Sequence, residues 1–155
     1  MPVANLRLPH LPAFARQPII FVTTVTHGRR PLLSCQIALE ALVNTWTRSA
    51  IVDGWYVGRF ILMPDHVHLF ARPALNAKPL AAWMQTWKSL TSRHLSAALA
   101  IRPPLWQKDY FDRYLRSAEN YREKWWYVTL NPVRKALCVE PAEWPWQGEL
   151  HELRF

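Results

Sequence analysis

Segments typical of strands alternate with segments typical of helices along this chain, in an order that few folds accommodate. Runs of apolar and β-branched residues indicate strands, whereas apolar residues repeated every three or four positions indicate helices. The predicted strands span 19–26, 55–62, 66–72 and 110–115, and the predicted helices span 35–48, 80–99, 118–130 and 133–137. This order predicts an α+β fold of the ferredoxin-like type with a helical C-terminal addition.

Local signals set the limits of several of these elements. Ser34 and Ser117 precede helix-type runs and are predicted N-cap residues. Pro64-Asp65 has the chemistry of a tight turn, so the strands on either side of it are expected to form a hairpin. Pro103-Pro104 should end the second helix, because proline removes a backbone donor and clashes with the preceding turn.

The first two predicted helices each carry an apolar stripe that should face the core. The first stripe consists of Ile37, Ala38, Ala41, Leu42 and Trp46, and the second consists of Leu80, Trp83, Met84, Trp87 and Leu90. The chain has 155 residues, half of them hydrophobic, which suits one compact domain. We expect a Pro-rich arm over residues 1–18, a single domain over 19–155, and a tail at Trp144-Pro145-Trp146 that packs onto it.

Positive charge is in excess: 19 Lys and Arg against 11 Asp and Glu give a formal net charge of +8. This excess favours a polyanionic partner, with nucleic acid ahead of a membrane surface, although a merely soluble basic domain would show the same balance. The chain also has 9 Trp, some of which must fill the core while others can stack on unpaired bases.

Cys35 and Cys138 lie far apart and without metal-ligand spacing, so neither a disulfide framework nor a zinc knuckle is expected. The N-terminus lacks the pattern of a signal peptide, and no run of ~18 apolar residues is present to span a membrane. We therefore expect a cytoplasmic protein without a membrane partner.

His66 and His68 flank Val67 in a predicted strand. Because successive strand residues point to opposite faces, both imidazoles should point the same way, roughly 7 Å apart along the strand. Two imidazoles so placed can bind one divalent cation, and histidine suits transition-type ions best. The alternative is a pair of ordinary histidines on the polar face of a hairpin.

Tyr127 lies in a predicted helix, with Glu123 one turn before it and Asn131 one turn after it. A phenol is a poor nucleophile until a metal or a base helps it, but a phosphotyrosine link keeps the energy of the phosphodiester for rejoining. The alternative is an amphipathic residue at the edge of the core, since the chain has 5 Tyr.

Asn131 has two interpretations. Its side-chain carbonyl could be a third metal ligand beside the two imidazoles. Because Pro132 follows it, Asn131 also fits an N-cap with proline at the first helical position, and the residues alone favour this cap.

Several basic residues near these positions are candidates for phosphate contacts, although each could equally lie on an ordinary solvated face. They are Lys88, Arg93, Arg113, Arg116, Arg122 and Arg134. Asp65 adjoins the histidines and could orient one of them, or it could serve only the turn.

Four segments of the chain resemble one known family. Residues 61–69 (Ile-Leu-Met-Pro-Asp-His-Val-His-Leu) resemble the HUH motif of the single-tyrosine, IS200-like transposases. Residues 126–137 resemble the tyrosine helix of one branch, the REP-associated tyrosine transposases. Residues 106–112 are similar to the strand before that helix, and residues 143–146 to the Trp-Pro-aromatic close of the branch.

This resemblance implies a ferredoxin-like domain with a central antiparallel sheet and a C-terminal helix that carries the tyrosine. It implies that His66 and His68 bind Mg²⁺ or Mn²⁺, and it places Asn131 where the family has a polar third ligand, which makes ligand and cap equally favoured. It further implies that Tyr127 attacks single-stranded DNA at hairpin-forming palindromic repeats, leaving a 5′-phosphotyrosine and a free 3′-OH.

The resemblance leaves some properties open. Trp125 and Trp126 are unusually bulky for the tyrosine helix and could change how it docks. Insertion-sequence relatives exchange tyrosine helices in dimers, whereas the REP-associated branch is more monomeric, so we expect a monomer or weak homodimer associated with the nucleoid.

The main alternative function is a catalytically inactive module that only binds single-stranded or hairpin DNA. Such a module would not need His66, His68 and Tyr127 together. A metal-storage or metal-sensing protein would leave the charge and the tryptophans unexplained.

Overall fold

The computed structural model describes residues 17–155, so the predicted arm lies almost wholly outside the described residues. Within this range, five strands form one sheet in which every neighbouring pair is antiparallel. They are β1 (Ile19–Val25), β2 (Trp55–Leu62), β3 (His66–Pro73), β4 (Phe111–Leu115) and β5 (Gln147–Glu149), in the spatial order β4-β1-β3-β2-β5. The predicted α+β class with a central antiparallel sheet is confirmed.

Helices cover both faces of this sheet. They are α1 (Gln36–Val52), α2 (Leu80–Ala98), α3 (Ala118–Thr129) and α4 (Asn131–Arg134), with short 3₁₀ turns at His27–Arg29 and Pro141–Glu143. Because side chains alternate along a strand, Ile20 and Val22 of β1 pack with α1 and α2, whereas Ile19 and Phe21 pack on the side of α3.

Tryptophan dominates the core between the sheet and the first two helices. Trp55 of β2 stacks on Trp83 of α2 with ring centroids 4.7 Å apart, and the Trp83 Nε1 donates to Ser49 Oγ at 2.9 Å. Trp46 of α1 meets Trp87 edge to face at 5.6 Å. Much of the tryptophan content is therefore structural, while Trp126 on α3 is 62 % exposed.

A smaller core fills the opposite face. Phe70 of β3 stacks on Tyr121 of α3 with ring centroids 4.8 Å apart, and Val128 is buried in the same cluster. The tail closes this core, because Trp144 is buried and its Nε1 donates to the Leu62 carbonyl at 2.9 Å. The predicted packing of the tail is thus confirmed, and this core fixes where α3 lies.

Two strand expectations differ from the structure. The tail also adds the three-residue strand β5 to the edge of the sheet, next to β2. This strand was not predicted, because its three residues show no strand pattern. Of the segment 106–112 that resembles a strand, only Phe111 and Asp112 lie in β4, and Trp106 makes an isolated bridge to Thr26. The chain between them runs as a loop.

One of the two predicted caps is correct. Ser117 Oγ accepts from the Asn120 amide at 3.1 Å, as expected for an N-cap. The cap predicted at Ser34 is wrong, because Cys35 occupies the extended N-cap position before α1. Ser34 therefore lies one residue too early for its hydroxyl to reach the first turn. Within the described residues no side chain caps α1.

Most residues of the two predicted apolar stripes face the core, but the residue at one end of each stripe does not. Ile37 is 46 % and Leu90 45 % exposed. In α2 the buried face continues from Trp87 to Thr91 and Leu95, as the 3.6-residue repeat requires, and this leaves Leu90 outside. No helix in residues 17–155 is long and apolar enough to cross a membrane.

Replacing Trp83 with alanine should lower the free energy of unfolding by about 3–5 kcal/mol, because a fully buried aromatic side chain leaves a cavity. The matched control Trp126→Ala removes an exposed ring and should change it by less than about 0.5 kcal/mol. Chemical denaturation of both variants measures the difference, and equal losses would contradict the burial described above.

Candidate functional site

The two histidines of β3 lie side by side on the face that carries α3. His68 pairs with Thr23 and His66 with Val25 in the register of β1 and β3. The two imidazole centroids are 4.7 Å apart, and the His68 ring also stacks on Phe21 at 5.3 Å. The structure therefore places both rings on one face, as the strand period predicts.

One nitrogen of each imidazole is held by a neighbouring side chain. His68 Nδ1 lies 2.7 Å from Thr23 Oγ1, and His66 Nδ1 lies 2.7 Å from Asp65 Oδ1. Asp65 in turn accepts from Arg29 at 3.3 Å. Within residues 17–155 neither Nε2 atom has a hydrogen-bond partner, so both remain available to a ligand.

The environment of His68 keeps its ring neutral. Burial lowers the pKa of His68 to about 3, with further lowering by the charges of its cationic neighbours. At physiological pH the imidazole is therefore uncharged, which is the form that coordinates a metal.

Tyr127 reaches the same cleft from α3. Its side chain is 57 % exposed, and the Arg134 guanidinium lies over its ring, 4.3 Å from the centroid. Arg134 also donates to the Tyr127 carbonyl at 2.9 Å, which ties α4 to the last turn of α3. The phenol is thus open to a substrate and sits in a positively charged setting.

Asn131 opens α4, but it does not cap it. The residue before α4 is Leu130, whose φ of −81° and ψ of −10° continue the helical backbone, so no extended N-cap position exists at Asn131. Its Oδ1 instead accepts from Arg134. The cap interpretation is therefore wrong, and the side chain faces the cleft of the histidines.

A cleft of about 360 Å³ brings the predicted residues together. Among the residues that line it are His66, His68, Tyr127, Asn131 and Lys124. In the described part of the chain, no group of three or more His, Cys, Asp or Glu side chains is placed to hold a metal ion. A metal bound by the two imidazoles would therefore need an amide oxygen or the substrate as further ligands.

A second, larger groove of about 860 Å³ adjoins this cleft. It is lined by Arg113 and Arg116 from β4 and the turn after it, and it shares Lys124 and Tyr127 with the cleft. Two of the predicted phosphate contacts thus lie directly beside the tyrosine, and Arg134 is a third.

The other predicted DNA contacts lie elsewhere. Arg93 is exposed on α2, and Arg122 lines a pocket formed with the C-terminal residues. Lys88 is 8 % exposed, and its ammonium donates to the carbonyls of Gln107, Lys108 and Asp109 at 2.7, 3.2 and 3.4 Å. An ammonium has three donors, so this placement does not support a phosphate contact by Lys88.

Sequence reasoning missed Thr23 and Lys124. Nothing local marks Thr23, since its position opposite His68 follows only from the register of β1 and β3. Lys124 lies one helical turn before Tyr127, and that spacing was a usable signal that it shares the face of the tyrosine.

A model of the transposase family described as IS200-like matches residues 18–125, more than half of the chain. The chain belongs to the IS200-like transposase family. The matched region of this transposase-family chain includes both histidines and ends two residues before Tyr127. No curated protein matches it.

Solved structures share the fold of this IS200-like chain. A REP-associated tyrosine transposase bound to a REP hairpin has a TM-score of 0.68 and 15 % identity, over 90 % of this chain and 81 % of that one. A candidate transposase from Deinococcus radiodurans R1 has a TM-score of 0.57 and 16 % identity, over 78 % of this chain and 95 % of that one.

Replacing Lys88 with methionine should lower the free energy of unfolding by about 1–3 kcal/mol, because three carbonyls lose their shared donor. Affinity for DNA should stay unchanged. Lys108→Met removes the same charge from an exposed neighbour and should leave stability unchanged. Denaturation and DNA titration test both; lost DNA affinity in a fully stable Lys88→Met would reverse this assignment.

Proposed function

We propose that this IS200-like chain cleaves and rejoins single-stranded DNA, with Tyr127 as the nucleophile and Mg²⁺ or Mn²⁺ held by His66, His68 and Asn131. The observation that carries the proposal is the single cleft lined by all four residues. Family membership supports action on DNA in transposition, and the cleft supports the finer assignment.

The donor set fits a divalent metal. Thr23 and Asp65 contact the Nδ1 atoms of His68 and His66. The Nε2 atom of each histidine is therefore the one available to bind a metal. Asn131 Oδ1 accepts from Arg134 and still has a second lone pair. Bound there, the metal would polarise the scissile phosphate and stabilise negative charge on the departing oxygen.

The proposed reaction has two steps, cleavage of the strand and its rejoining. The Tyr127 phenol oxygen attacks phosphorus, the bond from phosphorus to the 3′-oxygen breaks, and the phenol proton is in sum transferred to that oxygen. The product is a 5′-phosphotyrosine and a free 3′-OH. In the reverse direction a 3′-OH attacks the phosphotyrosine, the strand is rejoined and the phenol is restored.

Substrate contacts follow from the groove beside Tyr127. Arg113, Arg116 and Arg134 are proposed to hold phosphates of the strand that enters the cleft. The REP hairpin bound by a protein of the same fold supports hairpin-forming palindromes as the substrate. Phosphate contacts by Arg93 and Arg122 stay predictions.

We propose that the protein acts as a monomer or weak homodimer, and that residues 19–155 act as a single domain. Hairpin binding without cleavage remains the alternative function, which the experiments below distinguish.

Thr23→Val should weaken Mn²⁺ binding by about 10–100-fold, because the hydrogen bond that orients His68 is lost. Thr24→Val is the matched control. Thr24 is the next residue on β1, it is buried on the opposite face, and its hydroxyl has no hydrogen-bond partner among residues 17–155, so Mn²⁺ affinity should not change. Calorimetric titration measures both, and wild-type affinity in Thr23→Val would count against this metal site.

Tyr127→Phe should abolish a denaturant-resistant adduct that forms between the wild-type protein, a hairpin oligonucleotide and Mn²⁺, while hairpin binding persists. Tyr114→Phe is the matched control, because Tyr114 is equally exposed, and it should keep forming the adduct. Denaturing electrophoresis shows the adduct. An oligonucleotide left intact by the wild type would favour the binding module, and an adduct in Tyr127→Phe would move the nucleophile to another tyrosine.

A further inference from the structure

Lys124 occupies a position between the histidines and the tyrosine that the reaction above does not yet use. It lies on α3 one turn before Tyr127, with Nζ 4.8 Å from the Phe21 ring centroid and 5.5 Å from the Tyr127 ring centroid. The side chain is half-buried. Its ammonium therefore stands over the floor of the cleft, beside the nucleophile.

Within the part of the chain that the structure describes, no carboxylate neutralises this ammonium. Among residues 17–155, no carboxylate lies within ion-pair distance of Lys124. Burial, followed by the positive charge of Arg113, lowers the pKa of Lys124. The two aromatic rings offset part of the cost through cation–π contacts, but a half-buried cation without a counter-ion favours the entry of an anion.

Lys124 lies where the basic groove meets the cleft of the histidines. Lys124 and Tyr127 are the two residues shared by the cleft of the histidines and the basic groove. A strand that runs from Arg113 in the groove to the histidines would pass both residues. A phosphate at Tyr127 would then also lie near Lys124, whose Nζ is 5.5 Å from the Tyr127 ring centroid.

We propose that Lys124 is a catalytic residue that binds a non-bridging oxygen of the scissile phosphate and stabilises the negative charge that gathers there during attack. The proposal rests on the function proposed above. Lys124 forms and breaks no covalent bond and keeps its three protons throughout. Its contribution is electrostatic, since a fixed cation in a partly desolvated cleft stabilises a charged transition state more than the ground state.

Single-turnover adduct formation at saturating hairpin oligonucleotide and Mn²⁺ tests this role. Lys124→Met keeps the aliphatic stem on Phe21 and should slow adduct formation about 10²–10³-fold. Hairpin affinity should fall less than about 5-fold, because the lost interaction belongs to the transition state. Lys124→Arg keeps the charge and should recover most of the rate, and Lys108→Met controls for net charge.

The outcomes separate the two proposals. An oligonucleotide left intact by the wild-type protein would overturn the proposed function and the role of Lys124 with it. Wild-type rates in Lys124→Met would overturn only the role of Lys124. If Lys124→Met lost hairpin affinity as much as rate, and recovered the wild-type rate when more DNA was added, the catalytic role would also be overturned. Lys124 would then only help to bind the strand.

A second experiment needs no turnover. In the Tyr127→Phe background, a methylphosphonate at the mapped cleavage linkage removes the charge of that one phosphate and should weaken binding. When Lys124→Met is added, the same methylphosphonate should cost less affinity, by at most the roughly 5-fold that Lys124 contributes to hairpin binding, because one partner of the lost charge is already absent. Equal losses with and without Lys124 would overturn the contact.

Discussion

The antiparallel pairing of β1 with β3 is the constraint on which the rest of the structure depends. It sets Thr23 beside His68, and because side chains alternate, it also turns Val67 into the tryptophan-rich core on the other face. A shift of one residue would carry both imidazoles into that core and expose Val67. The apolar packing of α1 and α2 on one face of the sheet therefore maintains the β1–β3 register that places both histidines on the other face.

Much of the fold and part of the candidate site could be predicted, because they follow from local periods. The strand period alone puts His66 and His68 on one face, and the helical repeat alone puts Tyr127 and Asn131 on one side of their segment. The order of these segments predicted the sheet and its helices. The cap at Ser117 was predictable for the same reason, since its hydroxyl reaches an amide only three residues away.

The remaining features depend on contacts between segments that carry no local pattern. Lys88 looked like a free cation on a helix, but the loop at 107–109 folds over it and supplies three carbonyls. Asn131 looked like a cap, but Leu130 keeps the helical backbone intact across the junction. Thr23 and Lys124 reach the histidines only through strand pairing and the docking of α3.

The junction between α3 and α4 connects Tyr127, the proposed nucleophile, with Asn131, the proposed metal ligand. Arg134 donates both to the Tyr127 carbonyl and to the Asn131 side chain, and its guanidinium covers the Tyr127 ring. The proposed nucleophile and the amide oxygen are thus linked through one guanidinium, on helices separate from the strand that carries both imidazoles. A displacement of α3 and α4 relative to β3 would therefore carry the tyrosine and the amide oxygen away from the imidazoles together.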